Sequence, residues 1–166
     1  MAEYDAFLKA NQTYAETFAH GHLPMPPGRR VAVLTCMDAR LHPEKFLGLE
    51  IGDAHMIRNA GGRASDDAIR SLVISQRLLG TNEIAVIHHT DCGMLTFTNK
   101  QLADKIQQDL GVNVGKQDFM PFKDLEQSVR DDVATLRASP LIPKDIPING
   151  AIYDVKTGEL RSVVSA

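Results

Sequence analysis

Cysteine is scarce in this chain: Cys36 and Cys92 are the only two in 166 residues. Two thiols allow one disulfide at most, and a chain of this length buries a core as a single domain without staples. Excess positive charge is missing too, the formal net charge being −3. Nucleic-acid binders usually carry a basic patch, so no nucleic-acid partner is expected. No apolar run approaches the roughly 20 residues needed to cross a bilayer, so no membrane association is expected. The start, Met1-Ala2-Glu3-Tyr4-Asp5, is acidic and lacks an apolar segment. No signal peptide is therefore expected, and the reading is a cytoplasmic protein. No Gly-x-Gly-x-x-Gly follows a strand, which removes the dinucleotide fingerprint. Gly111-Val112-Asn113-Val114-Gly115-Lys116 resembles a phosphate loop but is one residue short and continues with Gln117. Internal repeats and low-complexity segments are absent as well.

What is present is an α/β pattern. Hydrophobic residues make up 43% and charged residues 23%, ordinary values for a globular domain. Tyr4, Phe7, Leu8, Tyr14 and Phe18 recur at helical spacing and predict a helix over 3–20 with one sticky face. Gly21 and the run Leu23-Pro24-Met25-Pro26-Pro27-Gly28 end it as a stiff connector. Residues 1–28 are thus read as an arm and 29–166 as the domain proper. Continuous apolar runs at 30–35 and 84–87 predict strands covered on both faces. A shorter strand is expected at 54–58, followed by the glycine loop Asn59-Ala60-Gly61-Gly62-Arg63. Ser65 reads as an N-cap and Gly80 as the stop of a helix whose buried stripe is Ile69, Leu72, Val73 and Leu79. Strand, helix, strand with short joints is a βαβ unit, so a parallel sheet follows. Further helices are expected at 98–110 and 125–137. Strands at 148–155 and 160–164, joined at Lys156-Thr157-Gly158-Glu159, read as a closing hairpin.

Both cysteines directly follow buried-strand runs. In open parallel sheets ligands bind beyond the carboxyl ends of the strands. Cys36-Met37-Asp38-Ala39-Arg40 lies at one such exit and His88-His89-Thr90-Asp91-Cys92-Gly93 at another. A reducing compartment disfavours a disulfide, and the polar company of the thiols argues against two merely buried hydrophobes. Adjacent histidines on an extended segment point to opposite faces, so only one can meet an ion. His89 is chosen for its spacing to Cys92, and His88 is read as a packing or supporting histidine. Two thiolates and one imidazole, from Cys36, Cys92 and His89, form a zinc-type set with a fourth position left for water. Arg40 can grip the Asp38 carboxylate through paired hydrogen bonds and keep it off the ion, aimed at that water. Asp91 is read as a turn residue, and His42 and His55 as ordinary groups. Two further readings remain open: a closed, non-catalytic zinc site with Asp38 bound, and a metal-free redox dithiol. A cysteine-nucleophile phosphatase is disfavoured, because the three residues between Cys36 and Arg40 are too few for a phosphate nest.

Cys36-Met37-Asp38-Ala39-Arg40, Arg58-Asn59-Ala60-Gly61 and His89-Thr90-Asp91-Cys92-Gly93 resemble the β-class carbonic anhydrases. Ser139-Pro140-Leu141-Ile142-Pro143 and the stretch 150–160 resemble their short, prokaryote-type branch. The resemblance implies a mostly parallel sheet flanked by helices and one zinc per subunit on Cys36, His89 and Cys92. It also implies an Asp38–Arg40 dyad and hydration of carbon dioxide to bicarbonate by zinc-bound hydroxide. A homodimer or homotetramer is implied, the N-terminal helix lying over a partner subunit. Asn59, Ala60, Gly61 and His88 are the expected cleft residues. His88 departs from the glycine this family commonly has there, and an imidazole would narrow the cleft or change its polarity. The same branch resembles enzymes that hydrolyse carbonyl sulfide or carbon disulfide, so the gaseous substrate stays open among the three.

Overall fold

Two apolar runs organise the chain, and the computed structural model, which describes residues 2–166, lays them side by side as β1 (Val31–Cys36) and β3 (Glu83–His89). They pair in parallel from Val31 opposite Glu83 to Thr35 opposite Ile87. β2 (Ala54–Asn59) flanks β1 in parallel, with Cys36 opposite Asn59. β4 (Ile148–Tyr153) flanks β3 in parallel, and β5 (Leu160–Val164) closes the sheet antiparallel to β4. The strand order is β2-β1-β3-β4-β5. Met1, which opens the expected arm, lies outside the described residues.

Two helices cover the sheet. α3 (Asp66–Leu79) starts where the Ser65 hydroxyl accepts the Ala68 N–H and stops at left-handed Gly80. It buries Ala68, Leu72 and Ser75, while Ile69, Val73 and Leu79 sit at the margin of the stripe. α5 (Leu125–Ala138) is capped by Asp124 and buries Ser128, Val129, Asp132, Val133 and Leu136. Its approach to β4 depends on Gly150, where a Cβ would come within 2.6 Å of Val129 Cγ1. Ala32, Leu34, Leu72, Ile84, Val86, Leu136 and Ile148 form the main core. Each such fully buried aliphatic side chain stabilises the fold by roughly 1.5–3 kcal/mol.

Three boundaries and one element differ most from the sequence expectation, β4 stopping two residues short of Val155. β3 extends past Ile87 because His88 and His89 pair with Ile152 and Tyr153 of β4. α1 (Glu3–Glu16) ends four residues before His20, and no residue of it is buried. A short helix, α2 (Pro43–Leu47), was not anticipated; Pro43 starts it and left-handed Gly48 ends it. α4 (Asn99–Leu110) begins in a capping box in which Thr98 and Gln101 exchange hydrogen bonds. Among the described residues no helix is long and apolar enough to cross a membrane.

Candidate metal centre

Cys36 is the last residue of β1 and His89 the last of β3, so both stand on strand ends rather than on mobile loops. Cys92 follows one turn later, and that turn is tied to the sheet. Thr90 N–H donates to Tyr153 O at 2.9 Å, and Val155 N–H donates to Thr90 Oγ1 at 3.0 Å. The ligand atoms of Cys36, His89 and Cys92 lie within 4.8 Å of one another, and all three residues are buried.

The donor set fits a divalent cation on its own chemistry. His89 Nδ1 sits 2.8 Å from Thr90 O, a group that can only accept, so Nδ1 carries a hydrogen there. Nε2 is left facing the thiols, buried and without a hydrogen-bond partner. A partnerless buried nitrogen is costly unless something occupies its lone pair. The two sulfurs face each other within this group. The neighbouring Cys92 thiol draws Cys36 below the ordinary thiol value, against the effect of burial, and His89 assists. The Cys36 sulfur, together with burial, pushes Cys92 up. Burial works to depress His89, yet the Cys36 sulfur beside it carries its pKa above the ordinary value. A dication would displace these protons and let both sulfurs ionise.

Asp38 stands over this set, its Oδ2 3.8 Å from His89 Nε2. Arg40 grips it from the side. Arg40 Nε donates to Oδ1 at 2.9 Å, Nη2 to Oδ2 at 2.8 Å and its backbone N–H to Oδ1 at 2.9 Å. These bonds hold the Asp38 carboxyl well below the usual carboxylate range, with burial opposing. The other edge of the guanidinium is anchored on Asp91, through Nη1 to Oδ2 at 2.7 Å and Nη2 to the carbonyl at 2.9 Å. Asp91 adopts φ 55°, a left-handed conformation that costs a non-glycine residue energy and clusters at functional sites. Arg58 straps the same segment from β2, donating to Cys36 O at 3.0 Å and Asp38 O at 2.8 Å. The sequence reading placed Asp91 in a turn and Arg58 only in a motif. Their signal was the complement of charge around Cys36 and Cys92, which shows no partner until the strands are aligned.

A cleft of about 160 Å³ opens on the thiols, lined by Cys36, Met37, Asp38, Ala60, Gly61, Cys92, Gly93 and Met94. Ala60 and Gly61 are thus among its lining residues. The side chains of Asn59 and His88 lie behind it. Asn59 clamps Arg63, accepting its N–H and donating to its carbonyl, both at 2.8 Å. His88 is fully buried on the opposite face of β3, against α5.

A parallel sheet presenting two thiols, one imidazole and a restrained carboxylate at adjoining strand ends defines a mononuclear metal enzyme of the zinc type. The comparisons with known proteins agree. The carbonic anhydrase family model matches residues 31–160. β-Carbonic anhydrase 1 of Mycobacterium tuberculosis is 44% identical over 165 residues, covering 98% of this chain and 99% of that protein. A carbon disulfide hydrolase of Acidianus is 40% identical, covering 97% of this chain and 89% of that protein. The crystal structure of a carbonic anhydrase from Streptococcus mutans superposes with a TM-score of 0.96 at 58% identity, covering 99% of both chains. The chain belongs to the β-carbonic anhydrase family, whose cofactor is zinc.

Proposed function

We propose that the protein hydrates carbon dioxide reversibly to bicarbonate, with Cys36, His89 and Cys92 holding one zinc ion. The observation that carries this reading is the Asp38 carboxylate, held ionised by Arg40 beside the donor set instead of completing it. Zinc, when bound, is a Lewis acid that makes a hydroxide nucleophile from water at neutral pH. The chain's own residues do the rest. Asp38 Oδ2 accepts the hydrogen bond of the attacking oxygen and turns its lone pair toward the cleft. Arg40 and Asp91 keep that carboxylate from swinging onto the ion, and Ala60, Gly61 and Met94 form an apolar wall for a small linear substrate. Attack at carbon gives bicarbonate, and one proton leaves to solvent.

Carbonyl sulfide or carbon disulfide is the second reading, favoured by the 40% identity to a carbon disulfide hydrolase and by the apolar cleft wall. Zinc content combined with side-by-side assays of the three gases tests both. The first reading expects one zinc per chain and the highest kcat/KM on carbon dioxide; a far higher value on either sulfur compound moves the assignment. A closed structural site would instead show four protein ligands and no activity on any of them.

The arm is read as an assembly element. Tyr4, Phe7, Leu8, Tyr14 and Phe18 are between 47% and 67% exposed, an apolar face turned largely to solvent. Large exposed apolar faces mark interaction surfaces. The occupant we assign is a second copy of this chain, in a homodimer or homotetramer. The domain 29–166 then holds the metal centre and 1–28 the contact, and a cytoplasmic location fits the reduced thiols.

A further inference from the structure

Behind the cleft lies a second set of charged groups that the mechanism above does not use. Asp132, on α5, is 1% exposed, and Arg63 reaches it with Nε 2.9 Å from Oδ2 and Nη2 donating to Oδ1 at 3.2 Å. His88, 0% exposed, places Nε2 3.1 Å from the same Oδ2 and 3.2 Å from Gly62 O. Both neighbours are acceptors, so this nitrogen carries a hydrogen. On the other side of the ring Nδ1 meets Ser128 Oγ at 2.8 Å, and Phe122 stacks on the imidazole while Arg63 lies over its ring. Burying an ion pair costs several kcal/mol per ion in desolvation, so such a set is weak evidence for stability alone.

What the set holds is the turn of Ala60–Gly62. Gly62 lies flat on the Thr35–Cys36 peptide; a Cβ there would come within 2.9 Å of Thr35 C and 3.0 Å of Cys36 N. Its φ of 69° excludes most other residues as well. His88 fixes the Gly62 carbonyl, while Asn59 and the buried ion pair fix Arg63 at the turn's far end. Between them Gly61 shares the cleft wall with Cys36. Groups that orient metal ligands matter to affinity and activity by about 10–100-fold.

We propose that His88, Arg63 and Asp132 are positioning residues that seat the Ala60–Gly62 turn against the Thr35–Cys36 peptide and so fix how the Cys36 sulfur meets the metal. This rests on the zinc reading above. The experiment is cobalt(II) substitution, followed through the sulfur-to-cobalt charge-transfer absorption. Wild-type protein that shows no such band overturns the metal reading itself, whatever His88 does. With the band present, His88→Leu, which keeps bulk but removes the N–H, is expected to shift it and weaken cobalt binding about tenfold. In the zinc enzyme kcat falls about tenfold with KM changed less than twofold. His88→Gln, which restores a donor, recovers both the band and kcat. Ser128→Ala keeps the buried ion pair, is the gentler change for folding, and shifts the band in the same direction by less. An unshifted band in both His88→Leu and Ser128→Ala overturns the proposal. So does a loss in the leucine variant that glutamine does not recover, because packing and not the N–H would then be responsible.

Discussion

Helices α1 and α5 are each 14 residues long and carry apolar residues at helical spacing, yet α5 buries five residues and α1 none. The difference is in what each is given to cover. α5 lies on β3 and β4, where Gly150 admits Val129 and Val133 to the sheet surface. α1 is separated from β1 by Pro24, Pro26 and Pro27, and none of its residues is buried. Periodicity tells that a helix has a face to bury; only a neighbouring surface decides against what. The region around β1, β3 and α5 buries its own apolar residues, whereas α1 leaves its apolar face exposed.

Ways of breaking this contrast rank by size. Cys92→Ser removes one of the three proposed zinc ligands and is expected to abolish both stoichiometric zinc and activity, read by elemental analysis and a hydration assay. Leu136→Ala empties a fully buried position of α5 and should cost about 2–5 kcal/mol in chemical denaturation. Arg40→Ala frees the Asp38 carboxylate without touching a ligand; zinc is retained while kcat falls about 10–100-fold. Phe7→Asp sharpens the contrast from the other side. It stands on a helix with no buried residue, so its effect on the unfolding free energy of a single chain stays within about 0.5 kcal/mol. The same change is expected to lower the assembly mass seen in analytical ultracentrifugation. An unchanged mass would remove α1 from the contact.

Much of this was legible without coordinates because the signals are local. Val31-Ala32-Val33-Leu34 and Ile84-Ala85-Val86-Ile87 are too continuous for a half-exposed strand, and each delivers a cysteine or histidine at its carboxyl end. Ser65 and Gly80 bracket α3 at both ends by capping chemistry alone. Long-range contacts were not legible. The partners of His88 lie 26, 40 and 44 positions away, at Gly62, Ser128 and Asp132, and nothing in the His88-His89 pair says which face meets them. Reading His88 as a supporting histidine followed from strand alternation, while placing it in the cleft did not survive the sheet geometry. α2 escaped notice because five residues are too few to show a period. Asp91 is the turn residue expected, but its bond to Arg40 was not legible, since it exists only once β1 and β3 are side by side.

Zinc K-edge absorption on freshly purified protein at neutral pH bears most directly on the central claim. The account predicts one zinc per chain with two sulfur neighbours at about 2.3 Å, one nitrogen at about 2.0–2.1 Å and a single oxygen that disappears when a small anion displaces it. An oxygen that persists, supplied by Asp38, would contradict it, and so would fully active protein whose spectrum shows no zinc-bound sulfur.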